Sequence, residues 1–358
     1  MFQSRYNRQI RLPEIGVNGQ EKLLKSKVLL VGVGGLGTAV LPYLVAAGIG
    51  EIGIIDDDVI DVSNLQRQVI YKNNCVGESK VNEAKIMALE LNPEVKINTF
   101  NEKLNYQNVL SLFEKYDIVV DATDNLDTKY LINDASIVTQ TPFVYGSVYK
   151  FEGQVSVFNF QNGPSYRCLF PEQPSDVSSC NESGVLGVSV GIIGMLQANE
   201  VLKMILGIGK LLSGQLLIYN FLNNDQQKFA FTKSDIKMID RLAFDEKYFL
   251  ENVFEIEISA NEALLLQNNS NVVFLDVRNF DETPKIELQN SIQIPLDVLK
   301  KEWNQLDVNK NIIVFCQSGI RSKKAVEILK INHFKNAQSV RGGVLAIQKI
   351  DKETFVVF

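Results

Sequence analysis

The chain has 358 residues, and at about 150 residues per domain this length predicts two globular units, each large enough to bury its own core. Hydrophobic residues make up 46% of the chain and charged residues 22%, which excludes a disordered protein. The formal net charge of −6 repels polyphosphate backbones and anionic lipid, so we expect neither nucleic acid nor a membrane as a partner.

The first part of the chain has the alternating strands and helices of an α/β domain. An apolar run at 28–31 ends in glycines and precedes an apolar helical pattern at 39–47. Strands are predicted at 51–56 and 117–121, with a helix between them at 80–91. Because strands that alternate with helices form parallel sheets, this region predicts a Rossmann-like domain.

After Pro142 the pattern changes to alternating polar and apolar residues. Such segments lie at 154–160 and 215–221, and the turn residues between 215–221 and 228–232 predict a hairpin, which makes the sheet mixed. The apolar stretch at 185–209 is interrupted by polar residues and predicts a buried core helix instead of a membrane span. No apolar run follows the N-terminal arginines to form a secretory signal, so we expect a cytoplasmic protein.

A change of composition marks the predicted boundary between two domains. Charge density rises after residue 233, and no clear periodicity survives up to residue 252. The sequence therefore predicts a first domain at 1–235, a linker at 236–252 and a second domain at 253–358.

The second domain also has an α/β pattern. Ser259 and Glu262 form a capping-box pattern ahead of a leucine run, which indicates the start of a helix. Strands are predicted at 272–275 and 312–315, and a helical run follows at 322–329. The whole chain is therefore predicted to contain two successive α/β domains.

The glycines after the first strand predict a nucleotide site. In the pattern Gly-x-Gly-x-x-Gly, glycine permits a tight turn and lets backbone amides approach a phosphate at a helix N-terminus. Asp56 follows this run by 19 residues, where an acidic side chain can hold ribose hydroxyls. The pattern alone also fits a nicotinamide dehydrogenase, which stays open as an alternative. The glycines concerned are Gly32, Gly34, Gly35 and Gly37.

Charged residues further along favour ATP over a nicotinamide cofactor. Arg67 and Lys80 can neutralise a triphosphate, and Asp124, after a predicted strand, can hold Mg²⁺. Taken singly, Asp57, Asp58 and Lys80 fit ordinary solvated charges equally well. Their occurrence together with the glycine loop favours the ATP site.

Several colinear motifs extend over residues 1–232. They are Arg5-Tyr-Asn-Arg8-Gln-Ile10, the glycine loop, Ser63-Asn-Leu-Gln-Arg-Gln68, Thr123-Asp124-Asn125, Tyr166-Arg-Cys168-Leu-Phe-Pro171 and Gly184-Val-Leu-Gly187. Together they resemble the MoeB/ThiF family, bacterial relatives of ubiquitin-activating enzymes. The resemblance implies a homodimer that uses ATP to adenylate the C-terminal Gly-Gly carboxylate of a ubiquitin-like sulfur-carrier protein.

The same resemblance implies roles for individual residues. Asp124 would bind Mg²⁺, and Arg8 would reach the triphosphate from the partner subunit. Because attack of a carboxylate on the α-phosphate needs mainly charge neutralisation and positioning, catalysis is assigned to Arg8, Arg67 and Lys80 with Mg²⁺. The predicted ATP-binding residues are the loop glycines with Asp56, Asp58, Ser63, Asn64, Arg67, Lys80, Asp124 and Asn125.

Cysteine usage departs from the family in one respect. Many relatives hold zinc through two Cys-x-x-Cys pairs, but Ser165 stands in place of the cysteine that would pair with Cys168, and no cysteine lies between Cys180 and Cys316. A structural zinc site needs about four ligands, so the sequence predicts none. Cys168 is predicted to be a buried thiol and Cys75 to have no role. Cys180 occupies the position of the family's acceptor cysteine, with an inert loop thiol as the alternative.

A second candidate site begins at Cys316. This residue follows a predicted strand and begins a helix, so loop amides, the helix terminus and Arg321 favour its thiolate. A buried inert cysteine is the alternative. Residues 253–358 resemble a rhodanese domain, which implies that Cys316 carries a persulfide. The motifs that carry this resemblance are Phe274-Leu-Asp276-Val-Arg278, Ile294-Pro-Leu296, Cys316-Gln-Ser-Gly-Ile-Arg321 and Gly342-Gly343.

The second domain departs from the rhodanese pattern at two places. Ile347 stands where an aromatic residue is common, and 287–292 lacks the usual Gly-His-Ile-Pro-Gly run. The Cys-x4-Arg spacing from Cys316 to Arg321 is shorter than the Cys-x5-Arg loop of dual-specificity phosphatases, which disfavours phosphatase activity.

The two sites together predict a sulfur-loading enzyme. The first domain would form an acyl adenylate on the carrier, and a Cys316 persulfide, loaded by a donor such as a cysteine desulfurase, would attack it. The product is a thiocarboxylate for molybdopterin or thiamine biosynthesis or tRNA thiolation, with Cys180 participating through an acyl disulfide. An adenylyltransferase whose rhodanese-like domain only docks partners, and a non-catalytic scaffold for a ubiquitin-like protein, stay open as alternatives.

Overall fold

The chain divides into two compact units, Met1–Phe244 and Asp245–Phe358, which are described separately. The domain boundaries derived from the sequence stay a prediction. The computed structural model describes residues 2–171, 184–234, 239–252, 257–286, 288–332, 334, 336–350 and 355–356.

A mixed eight-stranded sheet forms the centre of the first unit. Its strands are β1 (Lys27–Val31), β2 (Glu51–Ile55), β3 (Lys96–Phe100), β4 (Ile118–Asp121), β5 (Phe143–Tyr149), β6 (Glu152–Phe158), β7 (Gln215–Asn220) and β8 (Asp225–Ala230). The order is β3-β2-β1-β4-β5-β6-β7-β8, parallel from β3 to β5 and antiparallel from β5 to β8. This arrangement confirms the Rossmann-like mixed sheet and the predicted β7–β8 hairpin.

Helices cover this sheet and supply the connections between its parallel strands. They are α1 (Phe2–Arg5), α2 (Asn7–Ile10), α3 (Gly16–Lys25), α4 (Gly37–Ala47), α5 (Lys80–Leu91), α6 (Val109–Phe113), α7 (Leu126–Thr139), α8 (Tyr166–Leu169) and α9 (Gly187–Leu206). The helical patterns predicted at 39–47 and 80–91 correspond to α4 and α5, so both predictions are confirmed.

Helix α10 (Arg241–Asn252) corrects the expectation that residues 236–252 lack periodic structure. Phe244 and Tyr248 are buried, and their spacing of four residues places them on one face of the helix. The charged residues between them hide this short period in the sequence.

Helix α9 is a core helix of the first unit, as predicted for the stretch at 185–209. Among the described residues, α9 is the one helix that is both long enough and apolar enough to cross a membrane. However, half of its most apolar stretch is buried inside the unit. It packs against α4, β5 and β6. Gln197 Nε2 donates to the carbonyl of Asp121 over 2.7 Å, and the Glu200 carboxylate accepts from the Leu212 amide over 3.1 Å. These bonds satisfy polar groups that a lipid environment would leave costly.

A buried ion pair joins the sheet to helix α7. Lys129 Nζ lies 3.0 Å from Asp121 Oδ2, and it also donates to the carbonyls of Thr123 and Gly146 over 2.9 Å and 3.1 Å. Both charged side chains are buried, and such charges are tolerated only when paired and hydrogen-bonded. The pair therefore holds the carboxyl end of β4 against α7 and β5, beside the candidate nucleotide site.

A parallel five-stranded sheet forms the second unit, with the order β12-β10-β13-β14-β9. Its strands are β9 (Glu257–Ile258), β10 (Val272–Asp276), β12 (Ser291–Gln293), β13 (Asn311–Phe315) and β14 (Ala337–Val340). Two further strands, β11 (Lys285–Ile286) and β15 (Phe355–Val356), pair antiparallel. The predicted strands at 272–275 and 312–315 are confirmed as β10 and β13.

The helices of the second unit are α11 (Ala260–Leu265), α12 (Leu296–Glu302), α13 (Ile320–Ile331) and α14 (Gly343–Ile350). The capping box predicted at Ser259 and Glu262 is present. The Glu262 amide donates to Ser259 Oγ over 3.2 Å, and the Ser259 amide donates to Glu262 Oε2 over 3.0 Å. The α/β prediction for this domain is therefore confirmed.

Replacing Lys129 with methionine should destabilise the first unit strongly, because Asp121 would remain buried without its cation. We expect the free energy of unfolding to fall by about 3–5 kcal/mol in urea denaturation followed by circular dichroism. Lys115→Met removes an exposed lysine and should change stability by less than about 0.5 kcal/mol. Equal unfolding midpoints for the two variants would contradict a structural role for the pair.

Candidate functional site

The glycine loop lies between β1 and α4. A Cβ atom on Gly37 would overlap the carbonyl oxygen of Gly32, so this close turn requires glycine at residue 37. A Cβ on Gly32 would lie 2.9 Å from the carbonyl oxygen of Ala122, so the loops after β1 and β4 are in contact. The structure thus confirms the strand, glycine loop and helix, and it brings Asp121–Asn125 to the same edge of the sheet.

Asp56 binds the glycine loop from the end of β2. Its Oδ2 accepts from the Val33 amide over 2.8 Å and its Oδ1 from the Asp58 amide over 2.9 Å. Burial raises the pKa of Asp56 above its usual value, although these two hydrogen bonds oppose the shift. A carboxylate offers about four lone-pair positions, so ribose hydroxyls can still donate to it.

Lys80 begins helix α5 with its side chain buried. Its Nζ lies 2.6 Å from Asp58 Oδ2, so the two predicted ATP-binding residues form an ion pair. Tyr71, which the sequence did not indicate, donates from Oη to the Val33 carbonyl over 2.8 Å, and the Lys80 carbonyl oxygen lies 3.3 Å from the same hydroxyl. Burial raises the pKa of Tyr71 and keeps its hydroxyl a donor. A lone tyrosine between motifs gave no sequence signal for this role.

A short 3₁₀ turn at Val62–Asn64 carries the next candidates. Asp61 caps it, because Asp61 Oδ1 accepts from the Ser63 amide over 2.8 Å and Asn64 Oδ1 accepts from the Asp61 amide over 3.1 Å. Arg67 Nη1 donates to the Ser63 carbonyl over 3.0 Å. This bond uses one of the five guanidinium donors, so the fixed and partly exposed Arg67 can still bind phosphate.

Two exposed residues after β4 lie at the same edge of the sheet as the glycine loop. Asn125 caps α7 by accepting from the Thr128 amide over 2.8 Å, and Asp124 is exposed next to it. Asp56, Asp57 and Asp58 bring three carboxylates within 4.8 Å of one another. Carboxylate oxygens are suitable ligands for Mg²⁺, so both Asp124 and the Asp56–Asp58 group are candidates to hold it.

Arg8 lies exposed on helix α2. No hydrogen bond within the described chain joins it to the glycine loop. Its predicted approach from a partner subunit stays a prediction.

The cysteines of the first unit differ from the expectation in one case. Cys168 is half-buried, whereas the sequence predicted a buried thiol, because it lies in the short helix α8 near the unit's surface. Its Sγ lies 3.3 Å from Ser165 Oγ and 3.5 Å from the Ser234 amide. Burial raises the pKa of the Cys168 thiol, but the hydrogen bonds from Ser165 and Ser234 outweigh it and lower the pKa overall. Cys180 lies outside the described residues.

Cys316 lies in the second unit, directly between β13 and the turn into α13. Its side chain is buried, with 1% exposed, and its Sγ accepts from the amides of Gly319 over 3.2 Å and Ser322 over 3.3 Å. The Ser322 hydroxyl lies 3.5 Å from the same sulfur. Burial raises the pKa of the thiol, but these hydrogen bonds outweigh it and the pKa falls below the usual value. The loop therefore favours a nucleophilic thiolate.

Backbone contacts hold the Cys316 loop in place. A Cβ on Gly343 would overlap the carbonyl oxygen of Cys316, so the approach of α14 requires glycine there. The Val344 amide then donates to that carbonyl over 2.8 Å. Ser322 Oγ lies 2.7 Å from Ser339 Oγ, which fixes the hydroxyl beside the sulfur. Gly343 belongs to a motif identified in the sequence, whereas no sequence pattern indicated the contribution of Ser322.

Arg321 does not hydrogen-bond the sulfur in the described structure. Its Nη1 and Nη2 donate to the two carboxylate oxygens of Glu282, each over 2.6 Å. Arg278 is buried and pairs with Asp276, with Nη2 to Oδ2 at 2.7 Å. The loop amides predicted to favour the thiolate contact Cys316 directly, together with the Ser322 hydroxyl, while the contribution predicted for Arg321 involves no hydrogen bond to the sulfur.

Comparisons with known proteins agree with the two units. A model of the ThiF family matches residues 6–237, and a model of the rhodanese-like domain matches residues 259–350. A protein of Pyropia yezoensis named "Probable molybdopterin-synthase adenylyltransferase" is 40% identical over 97% of this chain and 94% of its own length. A protein of Culex quinquefasciatus named "Adenylyltransferase and sulfurtransferase MOCS3" is 36% identical over 98% of this chain and 88% of its own length.

A solved structure shares the fold of part of the chain. The crystal structure of MccB from E. coli has a TM-score of 0.59 and 22% identity, and the match covers 66% of this chain and 72% of MccB. Since the ThiF model spans more than half of the chain and the relatives align over almost all of it, the chain belongs to the ThiF family and carries a C-terminal rhodanese-like domain.

Proposed function

We propose that this chain adenylates the C-terminal glycine of a ubiquitin-like sulfur-carrier protein with ATP and then transfers sulfur to it from a Cys316 persulfide. The observation that carries the proposal is the presence, on one chain, of a charged glycine-loop site and a thiolate-favouring cysteine loop. The names of the relatives support both activities, and one names them together.

The first step is nucleotidyl transfer. A carboxylate oxygen of the carrier attacks the α-phosphorus of ATP, the bond to the β-phosphate oxygen breaks, and pyrophosphate leaves. Arg67 and Lys80 neutralise the phosphates, while Asp56 holds the ribose hydroxyls. Asp124 would hold Mg²⁺, which would supply further charge neutralisation when bound. In a homodimer, Arg8 of the second copy completes the site.

The second step uses the rhodanese-like domain. The Cys316 thiolate attacks the outer sulfur of a donor persulfide, such as that of a cysteine desulfurase, and the donor thiolate leaves. The persulfide then attacks the acyl adenylate, AMP leaves, and an acyl disulfide forms. A second thiol, with Cys180 as the candidate, attacks Cys316 Sγ and releases the thiocarboxylate. The resulting protein disulfide is reduced by an external dithiol.

The alternative is an adenylyltransferase whose second unit only docks partners. The two amides and the hydroxyl that contact Cys316 Sγ argue against it, because a docking module has no need of a stabilised thiolate. The molybdopterin name of one relative favours a carrier for that pathway over thiamine biosynthesis or tRNA thiolation. We also propose a cytoplasmic location, because the sulfur chemistry requires reduced thiols.

Arg67→Gln should lower ATP–pyrophosphate exchange in the presence of the carrier by about 100-fold, because one charge-assisted contact to the developing phosphate charge is lost. Lys72→Gln removes a nearby exposed cation and should leave exchange unchanged. Similar rates for both variants would exclude Arg67 from the nucleotide site.

Cys316→Ala should abolish thiocarboxylate formation and leave ATP–pyrophosphate exchange intact, because the two steps use different units. Mass spectrometry of the carrier measures the product directly. Full thiocarboxylate formation by this variant would establish the alternative in which the second unit only docks partners.

The rate of Cys316 alkylation should reach half its maximum at a pH below the usual thiol pKa of about 8.5. Ser322→Ala removes the hydroxyl beside the sulfur and should move this midpoint upward by about half a unit to one unit, because the thiolate loses a hydrogen bond. Ser318→Ala, which removes an exposed hydroxyl of the same loop, serves as the control. A midpoint that Ser322→Ala leaves in place would show that loop amides alone lower the pKa.

A further inference from the structure

Glu282 and Arg321 form a two-point ion pair close to the cysteine loop. Both contacts between guanidinium and carboxylate measure 2.6 Å, and the Asn279 amide donates to Glu282 Oε1 over 2.9 Å. The Arg321 guanidinium holds the pKa of Glu282 down at about 2, so the carboxylate stays charged at any physiological pH. The Glu282 charge therefore always opposes the charge of Arg321.

Two other arginines close to the loop are paired as well. Arg278, which also donates to Gln317 Oε1 over 3.4 Å, pairs with Asp276. Arg341 precedes the glycines that pack on the loop, and its Nε lies 3.7 Å from Glu257 Oε2. Each of the three guanidinium groups thus has a carboxylate partner within its own unit. Glu257 also pairs with Lys323, whose Nζ lies 3.2 Å from Glu257 Oε1.

The groups that contact the sulfur directly add no charge. The sulfur receives its hydrogen bonds from neutral amides and the Ser322 hydroxyl. Ile320 and Leu345, on either side of the loop, are exposed apolar side chains. A thiolate held by neutral donors is reactive, but the adjacent Arg321 is compensated by Glu282 and does not act as a free cation for a small anion.

We infer that Glu282 determines the specificity of the sulfur donor, by neutralising Arg321 and so disfavouring small anionic donors such as thiosulfate relative to persulfides. The inference rests on the proposed sulfurtransferase function of Cys316. With a persulfide donor, the bond from Cys316 Sγ to the outer sulfur forms, the donor S–S bond breaks, and a thiolate leaves. With thiosulfate, the S–S bond breaks and sulfite leaves, so only this route brings a dianion to the loop.

The test compares two alkylating reagents of similar size, the anion iodoacetate and the neutral iodoacetamide. The ratio of their second-order rate constants at Cys316, measured by peptide mass spectrometry, reports the local charge independently of turnover. Glu282→Gln keeps the shape of the side chain and removes its charge, so the iodoacetate to iodoacetamide ratio should rise about fivefold. Arg321→Gln leaves Glu282 unpaired and should lower the ratio.

Glu302→Gln, the same change at an exposed position of α12, is the matched control and should leave the ratio unchanged. A second readout is thiosulfate-dependent cyanide sulfurtransfer, in which Glu282→Gln should lower KM for thiosulfate at least fivefold and change kcat little. If the role of Glu282 were purely structural, Glu282→Gln would change the rate constants of both alkylating reagents equally, or change kcat. The iodoacetate to iodoacetamide ratio would then stay at its wild-type value.

The outcomes separate the inference from the function on which it rests. An unchanged ratio and an unchanged KM in Glu282→Gln would overturn the specificity role while the sulfurtransferase function stands. A Cys316 that reacts with neither reagent at neutral pH would overturn the reactive thiolate itself, and with it both the proposed function and the inference.

Discussion

In each unit a central parallel strand ends at a turn where a backbone carbonyl comes so close to another part of the chain that only glycine fits there. Gly37 packs on the carbonyl of Gly32, and Gly343 packs on the carbonyl of Cys316. This steric constraint brings loop amides together at the carboxyl end of the sheet. In the second unit these amides hold the Cys316 sulfur atom, and in the first unit the proposed function assigns the corresponding position to phosphate.

Charge pairing is the second feature that the two units share. Lys80 with Asp58 and Lys129 with Asp121 are ion pairs near the glycine loop, and of these four side chains only Asp58 is exposed. Around Cys316 the arginines are paired with carboxylates, so neutral donors stabilise the thiolate. Under the proposed function, a triphosphate requires cations that can contact it, whereas a persulfide sulfur requires a reactive site that does not attract anions.

Some strands and helices could not be predicted because their residues show no clear periodic pattern. Strand β3 contains a buried Ile97 among polar residues, and β5 contains Gly146, so neither shows a clear strand period. Helix α10 has a short buried face interrupted by charges. By contrast, β1, α4 and α5 follow strong periodic patterns bounded by glycine or a charged first turn, and these elements were predicted correctly.

The sequence by itself determined the order of the two α/β domains, the glycine loop, the cysteine loop and the residue types that surround them, because these follow from local spacing. Only the tertiary structure decided which side chains meet. Tyr71 on the glycine loop and the pairing of Arg321 with Glu282, 39 residues earlier, depend on contacts between separate segments. Local sequence periodicity does not predict such contacts, since they form only when strands and helices pack against one another.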